Sequence, residues 1–489
     1  MSLTTALNNA QAIFNNTGTQ SSVVSNNIAN AGNADYSRRQ AVLTTNMAGA
    51  QVVKIARSDE PALQKAYLGN SSSDAAQQLL LNAYSNLQSA TLGGNDNEIA
   101  PSTYLSAFQT AMQTYSGSPS STTAAQSAIN AAQSLATSLN NATTAVQNAR
   151  EDADKQISSD VDSLNSLLKQ FQTANEAVKS ATNAASPTSN ALADAMDQRD
   201  SILKQISQIV GVNAVTRGNN DMALYTSSGT TLFETIPRTV TFTPTNSYTA
   251  GTTGNNVYID GVALTPGQGA TTTAQGTLQA ALQVRDDVAP TYQKQLDEIA
   301  RGLVTTFAET NKTNSTKAAG LFTWSGGTVP ASGTAVTGLA GSITVNSALV
   351  TSKGGNPNLL RDGGINGVNY VVNPNGDSGY STQLDAYITA MNTKMDFDAS
   401  AGSDTKASLM DYASSSIGWL EGQRSTATTA AENTSAALSR SSSAYSNATG
   451  VNLDEELTLM MDIEQSYKAG TKILNAVNEM LQSVLDIAS

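Results

Sequence analysis

Asp197 and Asp200, in the run Ala195-Met196-Asp197-Gln198-Arg199-Asp200-Ser201-Ile202-Leu203, are the pair whose spacing most invites a chemical reading. Residues three apart on a helix share a face, so two carboxylates there could hold a metal or work as acid and base. Arg199 and Lys204 stand close by and no third ligand follows, which favours ion pairing over metal binding. The chain contains no histidine and no cysteine, which removes imidazole bases, thiol nucleophiles, disulfides and the usual zinc sites together. Serines are plentiful, yet none sits in a G-x-S-x-G elbow, and a serine nucleophile without histidine needs a lysine base in a frame that is absent. The glycine-rich pieces at 251–254 and at Gly363-Gly364 form neither G-x-G-x-x-G nor G-K-[ST], so they read as turns. Catalytic, cofactor and metal residues are therefore expected to be none, and the chain is expected not to be an enzyme. The enzyme alternative is a secreted glycan hydrolase working through two carboxylates.

The elements that would position any site are mostly helices. Hydrophobic residues make up 39% of the 489 and aromatic residues only 5%, so cores should be thin and helix contacts shallow. The formal net charge is -13, and with no local basic cluster a nucleic-acid partner is not expected. No run of eighteen apolar residues and no signal-peptide pattern occurs, so neither a membrane span nor a cleaved leader is expected.

The clearest helix runs from Leu453 to the C-terminus. Counted in sevens, Leu453, Met460, Tyr467, Leu474 and Leu481 fall on one row and Ile463, Gly470, Val477 and Val484 on another, a coiled-coil seam. Leu457 lies beside it, and Leu459, Ile473 and Met480 widen the face. Asn452 is placed to cap the helix, Glu455 to reach back to it, and Asp454 and Glu456 to favour its positive end. The opposite end of the chain carries a matching stripe: Leu3, Ala10, Thr17, Val24 and Ala31 interleave with Leu7, Phe14, Ser21 and Ile28. We expect the two termini to pair with each other and with neighbouring subunits. Without partners, residues 2–35 and 450–489 should be largely disordered, since apolar stripes gain stability only when covered.

Between the ends, apolar spacing predicts two helices between Ala75 and Tyr115, broken at Gly93-Gly94 and Pro101. It then predicts a long helix from Thr123 to about Asn183 and another from Asn190 to Val210. Period-two patterns appear from Val212 to Leu264. Helix returns near Ala274, with Pro290 expected to kink it, and a Gly, Thr and Ser-rich stretch follows from Asn314 to Gly379. The resulting plan is mainly α with inserted β: a terminal coiled-coil stalk (1–45 with 446–489), a long-helix α rod domain (46–211, 275–313 and 381–445) and distal β domains (212–274 and 314–380).

Three segments carry a family resemblance. Ser25-Asn26-Asn27-Ile28-Ala29-Asn30-Ala31 leading to Tyr36-Ser37-Arg38 resembles the N-terminal signature of the axial proteins of bacterial flagella, with Asp35 where that family usually has Gly. The D-Q-R-D run at 197–200 resembles a segment of the hook-associated protein 1 family that hook and rod proteins lack. Val451-Asn452-Leu453-Asp454-Glu455-Glu456 and the helix after it look like that family's ending. The resemblance implies a structural adapter joining flagellar hook to filament, a ring-forming homo-oligomer. Its implied partners are itself, hook protein, hook-associated protein 3, and an export chaperone with the flagellar type III exporter. It implies a secreted, extracellular location and no cofactor. The alternative of the same class is a hook or rod subunit. The expected assembly interface comprises Leu3, Leu7, Phe14, Val24, Asn26, Asn27, Ile28, Asn30, Tyr36, Arg38, Leu453, Leu457, Met460, Ile463, Tyr467, Leu474, Val477, Leu481 and Val484.

Overall fold

The computed structural model describes residues 3–46, 49–94, 96–184 and 186–488. The first helix, α1 (Leu3–Ala29), leads through a turn to a hairpin of β1 (Arg39–Asn46) and β2 (Gly49–Arg57), antiparallel with Arg39 opposite Arg57. Then come α2 (Pro61–Leu92), α3 (Pro101–Gly117), α4 (Thr122–Ala184) and α5 (Ala191–Ile209). Gly93 closes α2 in the left-handed conformation (φ 80°), its N–H bonded to the Ser89 carbonyl, which is the stop a glycine supplies most cheaply. At 63 residues and 1.5 Å per residue, α4 is a rod of about 95 Å.

α4 organises the body. Along its stalk-side half lie a three-stranded sheet of β3 (Val212–Thr216), β4 (Met222–Thr226) and β5 (Thr231–Phe233), and a second of β6 (Val240–Thr241), β7 (Tyr258–Ile259) and β8 (Val262–Ala263). Leu224, Phe233, Val240 and Ile259 share one buried cluster with Ile157, Leu164, Leu168 and Phe171 of α4 and Leu203 and Ile206 of α5. The rest of α4 packs on α3, on α6 (Thr277–Gln283), on α7 (Ala289–Thr306) and on the short α8 (Leu339–Ser342). Phe108, Phe307 and Phe322 meet there edge to face. After α9 (Leu359–Asp362) and α10 (Thr382–Met391), the 41-residue α11 (Leu409–Thr449) returns antiparallel to α2. Tyr67 stacks on Tyr445 at one end of that pair and Gln77 donates to the Ala427 carbonyl further along. The last helix is α12 (Leu453–Ala488).

Two sequence expectations change. The stretch 314–380 has only two-residue ladders and short helical turns, because its apolar residues, Leu321, Phe322, Leu339, Ile343, Leu349 and Leu360, drop into the helical core instead of facing each other across a sheet. The kink expected at Pro290 is absorbed by a π turn, Val284–Val288, between α6 and α7. A wider turn frees the carbonyl that proline cannot pair with.

With few large apolar residues, loops are strapped to the body by buried ion pairs. Arg285 holds Asp154, Asp286 and the Asn255 carbonyl, and Arg301 forks onto Glu298. Asp297 accepts from the backbone N–H of Gly338 and Ala340 and from Gln293, so it ties down the start of α8. Burial pushes the Asp297 carboxyl up to about 6, against the pull of those three donors. An unfolded aspartate titrates near 3.9, so the folded chain holds the proton better between the two values. This group's contribution to stability is therefore greatest at low pH and is lost as pH rises through about 6. In stability measurements from pH 4 to 7, wild type should fall relative to Asp297→Asn by up to about 3 kcal/mol.

Candidate assembly site at the paired termini

The termini lie side by side and antiparallel. Asn27 meets Glu456, Ser21 meets Met460, and the Phe14 ring stands edge-on to Tyr467 at 5.1 Å. In α1 the buried positions include Ala10, Thr17 and Val24, and in α12 they are Glu456, Ile463, Gly470 and Val477, each series spaced by seven. Sequence reasoning expected both ends to lack order without neighbours. Here both are helical, because each supplies the stripe the other needs. Gly470 lets the helices approach closely: a Cβ there would lie 2.9 Å from Ile13 Cγ2.

At the base of the pair, the residues of the N-terminal signature have a physical account. Asn27 is fully buried and uses its whole hydrogen-bonding capacity: Nδ2 donates to the Arg39 carbonyl (2.8 Å) and Glu456 Oε2 (3.0 Å), while Oδ1 accepts from Tyr36 Oη (2.8 Å) and the Arg39 N–H (3.1 Å). Burial pushes the Tyr36 phenol up to about 12, so it remains a donor. Arg38 bridges Glu456 (2.7 Å) and Glu455 (2.9 Å), and its N–H bonds the Thr449 carbonyl. Glu455 is thus turned toward Arg38 and not back to the helix start as expected. Asn452 does cap α12, accepting from the Asp454 N–H at 3.0 Å.

Asp35, where the flagellar signature usually has glycine, accepts from Ser201 and Lys204 at 2.8 Å each. Burial alone would raise its carboxyl, but these donors more than offset that and hold it below the usual range. Asp197 and Asp200 are not a metal or acid-base pair in this arrangement. Asp197 takes Arg39 and Arg57 on its two oxygens, Asp200 takes Arg57, and Asp194 takes Arg39. Among the described residues no group of three or more acidic side chains is arranged to hold a metal ion, and no helix is long and apolar enough to cross a membrane. Arg39, Arg57 and Asp194 escaped the sequence reading, and Glu456 was read only as a helix-start acid; the available signal was the arginines at either end of the hairpin facing acidic helix starts.

The expected interface residues divide into three sets. Val24, Asn27, Tyr36, Ile463 and Val477 are buried within the subunit, and Arg38 is spent on the acidic start of α12. Leu3, Phe14, Asn26, Ile28, Asn30, Met460 and Leu474 are half-buried. Leu7, Leu453, Leu457, Tyr467, Leu481 and Val484 are exposed, as are Met461, Met480 and Leu485. Since Ile13 sits at Gly470, α1 runs out near residue 480 of its partner, and the last two turns of α12 project past it.

Replacing Gly470 with leucine should force the helices apart and cost about 1 to 3 kcal/mol, read as lost amide protection in α1 and α12 alone. Asn27→Ala strands the Tyr36 hydroxyl and one Glu456 oxygen and should cost about 2 to 4 kcal/mol in chemical denaturation of the stalk.

Comparison with known proteins adds to this geometry. Residues 85–320 match the family model described as flagellar hook-associated protein FlgK helical domain, and residues 442–487 match that of the flagellar basal body rod FlgEFG protein C-terminal. The chain is similar to flagellar hook-associated protein 1 of Bacillus subtilis (strain 168), 23% identical over 513 aligned positions that cover 95% of this chain and 94% of the relative. A solved structure, the flagellar hook junction protein FlgK from Burkholderia pseudomallei, aligns with 20% identity and a TM-score of 0.39 over 54% of this chain and 47% of that one. With matches to the helical domain and to the C-terminal segment and a relative aligned nearly end to end, the chain is similar to flagellar hook-associated protein 1 over most of its length.

Proposed function

We propose that this chain is a structural adapter between hook and filament, assembling as a ring of identical copies through its terminal helices. The observation that carries the reading is the α1–α12 pair: its inner seam is closed, while Leu457, Met461, Tyr467, Leu481, Val484 and Leu485 remain exposed, with Leu485 at 66%. Monomeric soluble proteins rarely leave such a stripe on one helix uncovered, and a closed ring covers it with a different, complementary surface of the next copy. In this reading hook protein lies on one side of the ring and hook-associated protein 3 on the other. The subunit reaches the cell exterior through the type III exporter with an export chaperone.

The domain division proposed from the sequence, stalk, α rod and β-bearing insertions, fits this role: the stalk supplies contacts between copies and the body stands outward from it. A hook or rod subunit is the alternative, and the likeness of residues 442–487 to rod proteins alone would suit it. The likeness of residues 85–320 to the hook-associated helical domain favours the adapter.

Cells lacking the chain should build hooks without filaments and release filament subunits into the medium; normal filaments would overturn the reading. Leu481→Asp changes an exposed side chain, so stability of the purified subunit should move by no more than about 0.5 kcal/mol. The same variant should fail to restore filaments in the deletion strain, and Leu474→Asp should behave alike. Filament counts by electron microscopy with either variant at wild-type level would sink the ring interface.

A further inference from the structure

The stalk, comprising α1, the hairpin and α12, is joined to the body mainly through ion pairs. Among the described residues, the buried apolar clusters draw nothing from residues before Tyr67 or after Ala427, so no shared hydrophobic core crosses the joint. Among the described residues, the ion pairs that cross end on one helix, and Tyr445 of α11 adds a side-chain hydrogen bond to Arg57. On α5, Asp194, Asp197 and Asp200 are spaced by three along one face. Arg39 and Arg57 face them as cross-strand partners at the base of the hairpin, a two-pronged fork. Asp197 is shared, Oδ1 to Arg57 at 2.7 Å and Oδ2 to Arg39 at 2.9 Å; the outer carboxylates each take one prong at 2.7 Å. One turn further, Lys204 and Ser201 hold Asp35.

Two features suit this joint to opening and closing. The loop that carries Asn33, Asp35 and Tyr36 has a cavity on either side, of about 810 Å³ and 460 Å³, so it has room to move both ways. The arginines also keep loosely used donors: Arg39 Nε is buried with no hydrogen bond, and Arg57 Nη1 lies 3.9 Å from Asp59. Each guanidinium can therefore exchange carboxylate partners without losing its last one. A hydrophobic joint has no such discrete alternatives, whereas ion pairs at one-turn spacing specify register.

We propose that the acidic face of α5 is an ionic latch that sets the angle of the stalk to the body, and that releasing it lets the stalk swing as an intact unit. The inference stands on these contacts and does not depend on which neighbours the subunit meets. Because the chain has no cysteine, introduced pairs can be spin-labelled cleanly in the full-length protein. One pair, Ser466→Cys with Thr173→Cys, spans the joint; a second, Ser22→Cys with Ser466→Cys, lies within the stalk. Pulsed electron–electron distance measurements should give one narrow distance for each pair in the otherwise unchanged protein. Adding Asp197→Asn should spread the distance across the joint and leave the one within the stalk narrow. If that variant does not fold, Arg57→Lys, which keeps the charge but loses the fork spanning Asp197 and Asp200, is read in the same way. A joint distance that stays narrow in the variant, one already broad before it, or spreading of both pairs together would each overturn the latch.

Discussion

Two helices drawn from opposite ends of a chain can slide past one another by a heptad unless something polar fixes their register, and here that constraint is Asn27. Its carboxamide binds two backbone groups of Arg39, the Tyr36 hydroxyl and Glu456 of the partner helix at once. A slip of α12 would leave one Asn27 N–H and a Glu456 oxygen unpaired in a buried site, each costing about 1 to 3 kcal/mol. The apolar seam supplies attraction, and this knot decides alignment. Everything outward of the stalk inherits its position from that choice, because Arg38 and Arg39, next to the knot, lead directly into the start of α12 and into α5.

The D-Q-R-D segment then acquires a role no single residue suggests. Its carboxylates face the hairpin arginines, while Arg199, buried on another face, reaches Asn175 of α4 and the Asn220 carbonyl before β4. Burial of this guanidinium among neutral acceptors lowers its proton affinity, although Asp200 nearby opposes that. One helix thus has the stalk on one side and the β-bearing insertion on the other. A displacement at the hairpin has a short, polar route into the body.

The body itself reflects a composition poor in large side chains. Aromatic contacts are densest around Phe307, with isolated pairs such as Phe171–Phe233, Tyr292–Trp419 and Phe397–Tyr412 elsewhere, and between them alanines let the helices approach closely. Where apolar surface is short, arginine–carboxylate pairs at Asp154–Arg285 and Glu298–Arg301 hold the loops. Such pairs add little net stability over apolar packing but are costly to break singly, so they favour one arrangement of long insertions.

Much of this could be read from the chain alone, for a physical reason: helix periodicity, stop signals and heptads are local. The 63-residue α4, the break at Gly93, the Asn452 cap and the seven-residue spacing of the terminal seam all followed from side chains a few positions apart. Tertiary structure alone decided which row of each stripe faces inward and that Glu456, apparently a helix-start acid, is buried beside Asn27 more than four hundred residues away. It also decided that 314–380 feeds the helical core and that Asp197 serves two arginines from a hairpin 140 residues earlier in the chain. Pairings of that separation depend on how the long helices cross, and no local pattern encodes a crossing.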